Sequence, residues 1–206
     1  FAFTIRETDQ DERFERIVIG VDLATKRPAS RGKTDNSAFT VVGGKRYETG
    51  AVNKGPLIYR LLWIESGAYH GPMIVKKLED LYRRFGGVVW CETNGTQVFL
   101  AEFLKMSEMS IPVHNFETTG QNKHDPDFGV EAIGTEMANG YWEFPALPQK
   151  GQEDMPPAFT RLTEGMLSYS TGSHTSDELM SLFIAREGVR LGSMGARKTT
   201  TELGRR

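Results

Sequence analysis

The chain has 206 residues, 38% of them hydrophobic and 25% charged, with a formal net charge of −2; it is long enough for one large domain with a real core. Near-neutral charge excludes nucleic-acid binding by bulk charge, so a polyanion must be held by a local basic patch or by metal ions. A single cysteine, Cys91, excludes an intrachain disulfide and points to a reducing, intracellular setting, and no apolar run approaches the roughly 20 residues of a membrane span.

Residues 1–15 are polar and charge-rich and read as an arm or linker without a signal-peptide pattern. Opening on Phe1, the chain reads as a piece of a longer protein. Ile17–Ala24 is an apolar, β-branched run that predicts a buried strand. It ends in Asp22, a carboxylate that must reach solvent, a cation or hydrogen-bond donors. A basic loop, KRPASRGKTDNS, follows, and then a second strand at 38–42 and a third at 56–65.

In residues 73–85, Ile74, Leu78, Leu81, Tyr82 and Phe85 form one apolar helix face. Pro72 suits its first turn and Gly86-Gly87 its C-terminal cap. Val88–Glu92 is a fourth strand, again ending in an acid; Thr93–Gly95 turns the chain, and 96–106 predicts a second helix. Cys91, between Trp90 and Glu92, reads as a small apolar core residue. Residues 111–116 predict an edge strand, since Pro112 cannot donate to a ladder. The loop 118–126, a helix at 128–138, a short strand at 140–144 and a Pro-rich surface segment come next. A helix at about 176–187 and a basic tail close the chain. The expected organisation is an arm at 1–15, one domain at 16–190 and a flexible basic tail at 191–206. Strands first, then alternating helix and strand, give an α/β class with a mixed sheet.

Three acids stand out: Asp22 and Glu92 at strand ends, and Asp177 at the start of the last helix. Each has an ordinary reading. Ser176 and Asp177 are good N-cap types, and Glu92 with Asn94 could organise a turn. Together they make a hard oxygen cage that suits Mg²⁺ or Mn²⁺. The four histidines lack the tight spacing of a zinc site. Three carboxylates can hold two ions ~3.5–4 Å apart, one activating water and one stabilising a leaving oxygen. Glu178 could join the cage or serve the helix N-terminus; Asp35 could be an auxiliary ligand or a turn former.

Strand–Asp–loop–strand (IVIGVDLATKRPASRGKTDNSAFTVVG), strand–Glu–turn–helix (VVWCETNGTQVFLAEFL) and a late Asp opening a helix (HTSDELMSLFIA) resemble the ribonuclease H-like nuclease fold. More narrowly, with TTGQNKHDPDFGVEAIGTEMANGYWEFP, the chain resembles the C-terminal nuclease domain of a phage terminase large subunit over about residues 16–188. The resemblance implies a mixed central sheet flanked by helices and metal-dependent cutting of double-stranded DNA during viral genome packaging. It puts the catalytic, metal-binding acids on Asp22, Glu92 and Asp177. The family's third motif often carries two adjacent Asp residues; here the pair is Asp177-Glu178, which leaves open which of them binds metal. It implies Mg²⁺ or Mn²⁺, two ions, as cofactor. It also implies an ATPase domain, portal protein and terminase small subunit as partners, and the infected host's cytoplasm as location. No G-x-x-x-x-G-K-[ST] sequence is present, so the packaging ATPase is absent from this chain.

Lys26, Arg27, Arg31 and Lys33 after the first strand, and Asn122 and Lys123 in the later loop, are the candidate DNA-backbone contacts. Lys45, Arg46 and the tail cations read as solvated. His124 reads as an exposed or structural loop histidine. Three rivals remain: a junction resolvase or transposase of the same fold, an actin-like ATPase lobe, and a non-catalytic DNA- or protein-docking module of a packaging motor.

Overall fold

The computed structural model describes residues 14–23, 36–48, 54–69, 71–92, 104, 107, 109–144, 156–172 and 174–195. The described strands are β1 (Arg16–Asp22), β2 (Ser37–Glu48), β3 (Lys54–Gly67), β4 (Val88–Glu92), β5 (Val113–Phe116) and β6 (Trp142–Glu143). The described helices are α1 (Gly71–Phe85), α2 (Gly120–Lys123), α3 (Val130–Ala138), α4 (Pro157–Ser168) and α5 (Asp177–Gly195). One sheet runs β5-β4-β1-β2-β3-β6. β1, β2 and β3 form an antiparallel meander. β4 joins β1 in parallel, β5 joins β4 in parallel and β6 joins β3 in parallel. The mixed α/β sheet expected from element order is present.

Both faces of the sheet are covered, which is why its central strands are apolar at successive positions. On one face Ile19, Val21, Phe39, Val41, Val89 and Cys91 pack with Leu78 and Leu81 of α1. On the other, Val18, Val42, Ile64, Trp90 and Phe116 pack with Leu179, Leu182, Phe183 and Val189 of α5. α1 buries the face its spacing foretells. Its end is turned by Gly86 (φ 67°) and Gly87 (φ 88°), a left-handed pair that glycine adopts without steric penalty, with the Gly86 amide donating to Tyr82 O at 2.8 Å.

α5 is the central helix of its layer. Every residue from Glu178 to Val189 is buried, because the sheet lies beneath it while α4 and α3 pack against it as well. It meets β1 at backbone distance: a Cβ on Gly20 would stand 2.2 Å from Ser181 O and 2.5 Å from Ala185 N. A buried hydroxyl pair fixes the contact, Thr40 with Ser181 at 2.6 Å. Ser181 Oγ donates its one proton to Glu178 O at 3.0 Å, so the shared proton of the pair is that of Thr40.

Four sequence expectations are corrected. The Pro-rich stretch after 144 is not surface loop throughout, since α4 spans Pro157–Ser168 with a proline in its first turn and buries Ala158, Phe159 and Leu162. β2 continues to Glu48 through Gly43-Gly44, because β1 and β3 hydrogen-bond it on both sides and the Gly44 position leaves room for Val189 of α5. α5 extends to Gly195 rather than about 187. Lys45 is not solvated: it is 4% exposed and pairs with Glu143 at 3.0 Å, while Arg46 pairs with Glu15 at 2.9 Å. Cys91 is a buried free thiol, as read. β5 is an edge strand, and Pro112 just before it contributes only its carbonyl, to Val89 N at 2.9 Å. No helix among the described residues is long and apolar enough to cross a membrane.

The loop cations Lys26, Arg27, Arg31 and Lys33, the acid Asp35, the turn at 93–95, most of the helix expected at 96–106, the arm through residue 13 and the tail beyond 195 lie outside the described residues.

Candidate active site

Register brings the two strand-end acids together. β1 and β4 run parallel with Val18 beside Val88 and Val21 beside Cys91. One step further, Asp22 stands level with Glu92 on the same face, about 4.8 Å away across the strands. That rung continues in both directions: Glu92 is opposite Phe116, Asp22 is opposite Ala38, and Ala38 is opposite Ser66. Gly20 and Thr40, two residues back, touch α5, so the rung opens on the α5 side of the sheet.

The N-terminus of α5 sits over this rung. Ser176 takes the capping role, its Oγ accepting from Leu179 N at 3.3 Å, and Asp177 and Glu178 open the first turn. The two neighbouring acids then diverge. The charge of Asp177 falls on Asp22. Glu178 is buried at 3% exposure and accepts from Arg161 Nε at 2.6 Å and from Ser66 Oγ at 2.5 Å.

Asp22 carries the clearest electrostatic signature in the protein. Its carboxyl is pushed well above the usual range, first by burial, then by the negative charges of Glu92 and Asp177 and by a hydrogen bond with Glu92. The ammonium of Lys123 pulls the other way. The Cys91 thiol, on the opposite face, is pushed up to about 12 by burial together with the charges of Asp22 and Glu92. The charges of Glu92 on β4, Asp177 on α5 and Lys123 on α2 thus all reach Asp22 on β1.

Lys123 is held there by its own short helix. Thr119 and Asn122 form a reciprocal cap: Asn122 N donates to Thr119 Oγ1 at 3.1 Å and Thr119 N to Asn122 Oδ1 at 2.8 Å. Asn122 Nδ2 donates to Glu117 O at 2.8 Å. Both ends of the Asn122 side chain are therefore engaged with backbone, a role in shaping the loop. His124 Nδ1 lies 3.3 Å from the Tyr169 hydroxyl at the end of α4.

No group of three or more His, Cys, Asp or Glu side chains among the described residues stands ready-closed around a metal position. The donor set nonetheless fits a hard divalent cation. Carboxylate oxygens are its preferred ligands, and a half-buried acid pair sharing a hydrogen bond within reach of a third negative charge is an arrangement that a cation would relieve. Asp22, Glu92 and Asp177 are the residues that could hold one.

The residues missed from sequence are Arg161 and Ser66. The signal for Arg161 was present: Pro157 followed by Ala158, Phe159 and Leu162 is a helix start with an apolar face. Ser66 carries no such signal, since its importance comes only from the strand register.

No protein-family model matches the chain, and no curated protein matches it in sequence. Solved structures do match. The large terminase nuclease from thermophilic phage G20c aligns with a TM-score of 0.50 at 16% identity, over 84% of this chain and 81% of that one. Thermus thermophilus RuvC aligns at 0.45 and 16% identity, over 87% and 96%. The Fowlpox virus resolvase in complex with Holliday junction DNA aligns at 0.40 and 16%, over 85% and 97%. At such identity the likeness shows the fold: this chain has the ribonuclease H-like fold, a mixed six-stranded sheet flanked by helices.

Proposed function

We propose that the chain is a metal-dependent endonuclease of the phage large-terminase type, cutting double-stranded DNA during viral genome packaging. What carries the reading is Asp22 level with Glu92 at the ends of two parallel strands, with the charges of Asp177 and Lys123 reaching it. Strand caps and turns do not require three half-buried acids to act on one another, and their mutual repulsion works against folding unless a cation offsets it.

In this reading Asp22 is the central metal ligand, flanked by Glu92 and Asp177. Bound Mg²⁺ or Mn²⁺, two ions in the full complement, would supply an acidified water and a counter-charge for the leaving oxygen. The reaction is hydrolysis: the water oxygen bonds to phosphorus, the bond from phosphorus to the 3′ oxygen breaks, and that oxygen leaves as a hydroxyl. Lys123 steadies the phosphate and keeps the acid cluster from excess negative charge. Asn122 shapes the loop that presents Lys123. Lys26, Arg27, Arg31 and Lys33 grip the DNA backbone, which gives register without base specificity; Asp35 is an auxiliary ligand at most. An ATPase domain, a portal protein and a small terminase subunit are the partners in the assembled motor, which works in the cytoplasm of the infected host.

The test is plasmid cleavage. DNA is nicked or linearised with Mg²⁺ or Mn²⁺ and spared in EDTA, and Asp22→Asn abolishes cutting while the protein stays folded. Undiminished cleavage by pure Asp22→Asn protein overturns the assignment. A folded wild type that cuts with neither ion favours the docking-module reading.

A further inference from the structure

Two acids open α5, and only one of them can face the metal position at a time. They are neighbours in a helix, about 100° apart around its axis, so unwinding or rolling the first turn by about that angle would exchange them. Glu178 is a good ligand in its own right, next to Asp177 in the chain and buried on the same side of the sheet. Something must hold the register.

We infer that Arg161, acting with Ser66, is the positioning residue that withholds Glu178 from the metal site and so presents Asp177 to it. Two elements close on the Glu178 carboxylate. Arg161, from α4, donates through Nε to Glu178 Oε1 at 2.6 Å and through Nη2 to Ser66 Oγ at 2.6 Å. Ser66, from the end of β3, passes its own proton to Glu178 Oε1 at 2.5 Å. The triangle is charge-assisted on every side, which makes these bonds stronger than neutral ones. It is also anchored to the sheet, because Ser66 lies on the same rung as Asp22 with only Ala38 between them, about 10 Å across two strand spacings. Arg161 thereby fixes the first turn of α5 against the very row that carries the acids. Glu178 is 4% exposed at its side chain and Arg161 39%, so the carboxylate depends on this cation while the cation itself reaches solvent. Removing Arg161 leaves a buried carboxylate without a counter-charge, and the nearest relief is to turn toward a metal ion or to drag the helix end outward.

This inference rests on the nuclease reading, and the experiment separates the two. Mn²⁺ binding is measured by isothermal titration calorimetry, without DNA, on wild type, Asp22→Asn, Arg161→Gln and the double variant Arg161→Gln/Glu178→Gln. Affinity of a fluorescent duplex is measured alongside in EDTA. Wild type binds Mn²⁺ and Asp22→Asn does not; a wild type that binds none overturns the nuclease reading and this inference with it. Arg161→Gln binds Mn²⁺ roughly tenfold to a hundredfold more weakly, the range seen when a ligand's supporting partner is lost, with duplex affinity in EDTA unchanged. The double variant recovers most of that loss, since an uncharged amide in place of the Glu178 carboxylate no longer needs a cation and can still bond Ser66. Circular dichroism confirms that each variant is folded, and should Arg161→Gln not fold, Ser66→Ala, which removes one bond to Glu178 and leaves its counter-charge in place, takes its place in the titration and is held to the same weakened Mn²⁺ binding. Wild-type Mn²⁺ affinity in Arg161→Gln overturns it and leaves the nuclease reading intact. Weakened duplex binding with unchanged Mn²⁺ affinity overturns it in favour of a direct DNA contact.

Discussion

Asp22 is a residue at odds with its own fold, and its pH dependence should show it. In the unfolded chain an Asp titrates near 3.9. In the fold its carboxyl is raised by burial, by Glu92 and by Asp177, against a smaller opposing pull from Lys123. Between those two values the native state binds the extra proton, so stability falls as pH rises through the window, and the loss is complete above the folded value. Asp22→Asn removes the charge and keeps the shape. In EDTA, the melting temperature of Asp22→Asn is therefore expected to match or exceed that of wild type at pH 8, with the gap closing toward pH 4.5. Thermal melts across that range check it; a variant markedly less stable than wild type at pH 8 would mean that Asp22 serves the fold. Asp22 is legible in the sequence because a carboxylate at the end of an apolar strand has no packing reason to be there. The choice between Asp177 and Glu178 is not, because it depends on the rotation of α5 and on a guanidinium from another helix.

The element that converts sequence order into a site is α5. Its direction across β1 is set by backbone contact at Gly20, where no side chain fits, and by the Thr40–Ser181 bond. Gly20→Ala places a methyl group against Ser181 O and Ala185 N, both backbone atoms that cannot step aside. The expected loss lies at or above the upper end of the roughly 1–3 kcal/mol of overpacking, read from the denaturant midpoint. Cleavage per folded molecule should fall too, since lifting α5 carries Asp177 with it; a variant with wild-type stability would show that helix and strand are not in contact there. β1, α1 and β4 were legible from periodicity and end signals, which are local. α4 was overlooked because prolines dominate the segment before it, although Pro157 marks a helix start as readily as a loop. The reach of β2 past Gly43-Gly44 was invisible because the two flanking strands, not propensity, keep it extended.

At the scale of the whole molecule, the acids arrive from stretches separated by 70 and 85 residues of chain and meet only because the sheet and α5 are assembled. Their order along the chain was enough to suggest the fold, since that order follows local patterns; the rung from Phe116 to Ser66 was not readable, since register is a tertiary fact. A cation site assembled this way would exist only in the folded state, so binding there would appear as global stability. Saturation at a hundredfold excess over the dissociation constant adds about 2.7 kcal/mol. For a domain of this size that corresponds to a rise in melting temperature of roughly 5–10 °C. Mn²⁺ should produce this shift in wild type, and Asp22→Asn should show none. Glu178→Gln should keep most of the shift, because the Glu178 carboxylate is engaged by Arg161 and Ser66. An equal shift in Asp22→Asn would place the cation elsewhere on the protein. Loss of the shift in Glu178→Gln with its retention in Asp177→Asn would reverse the roles of the two helix acids.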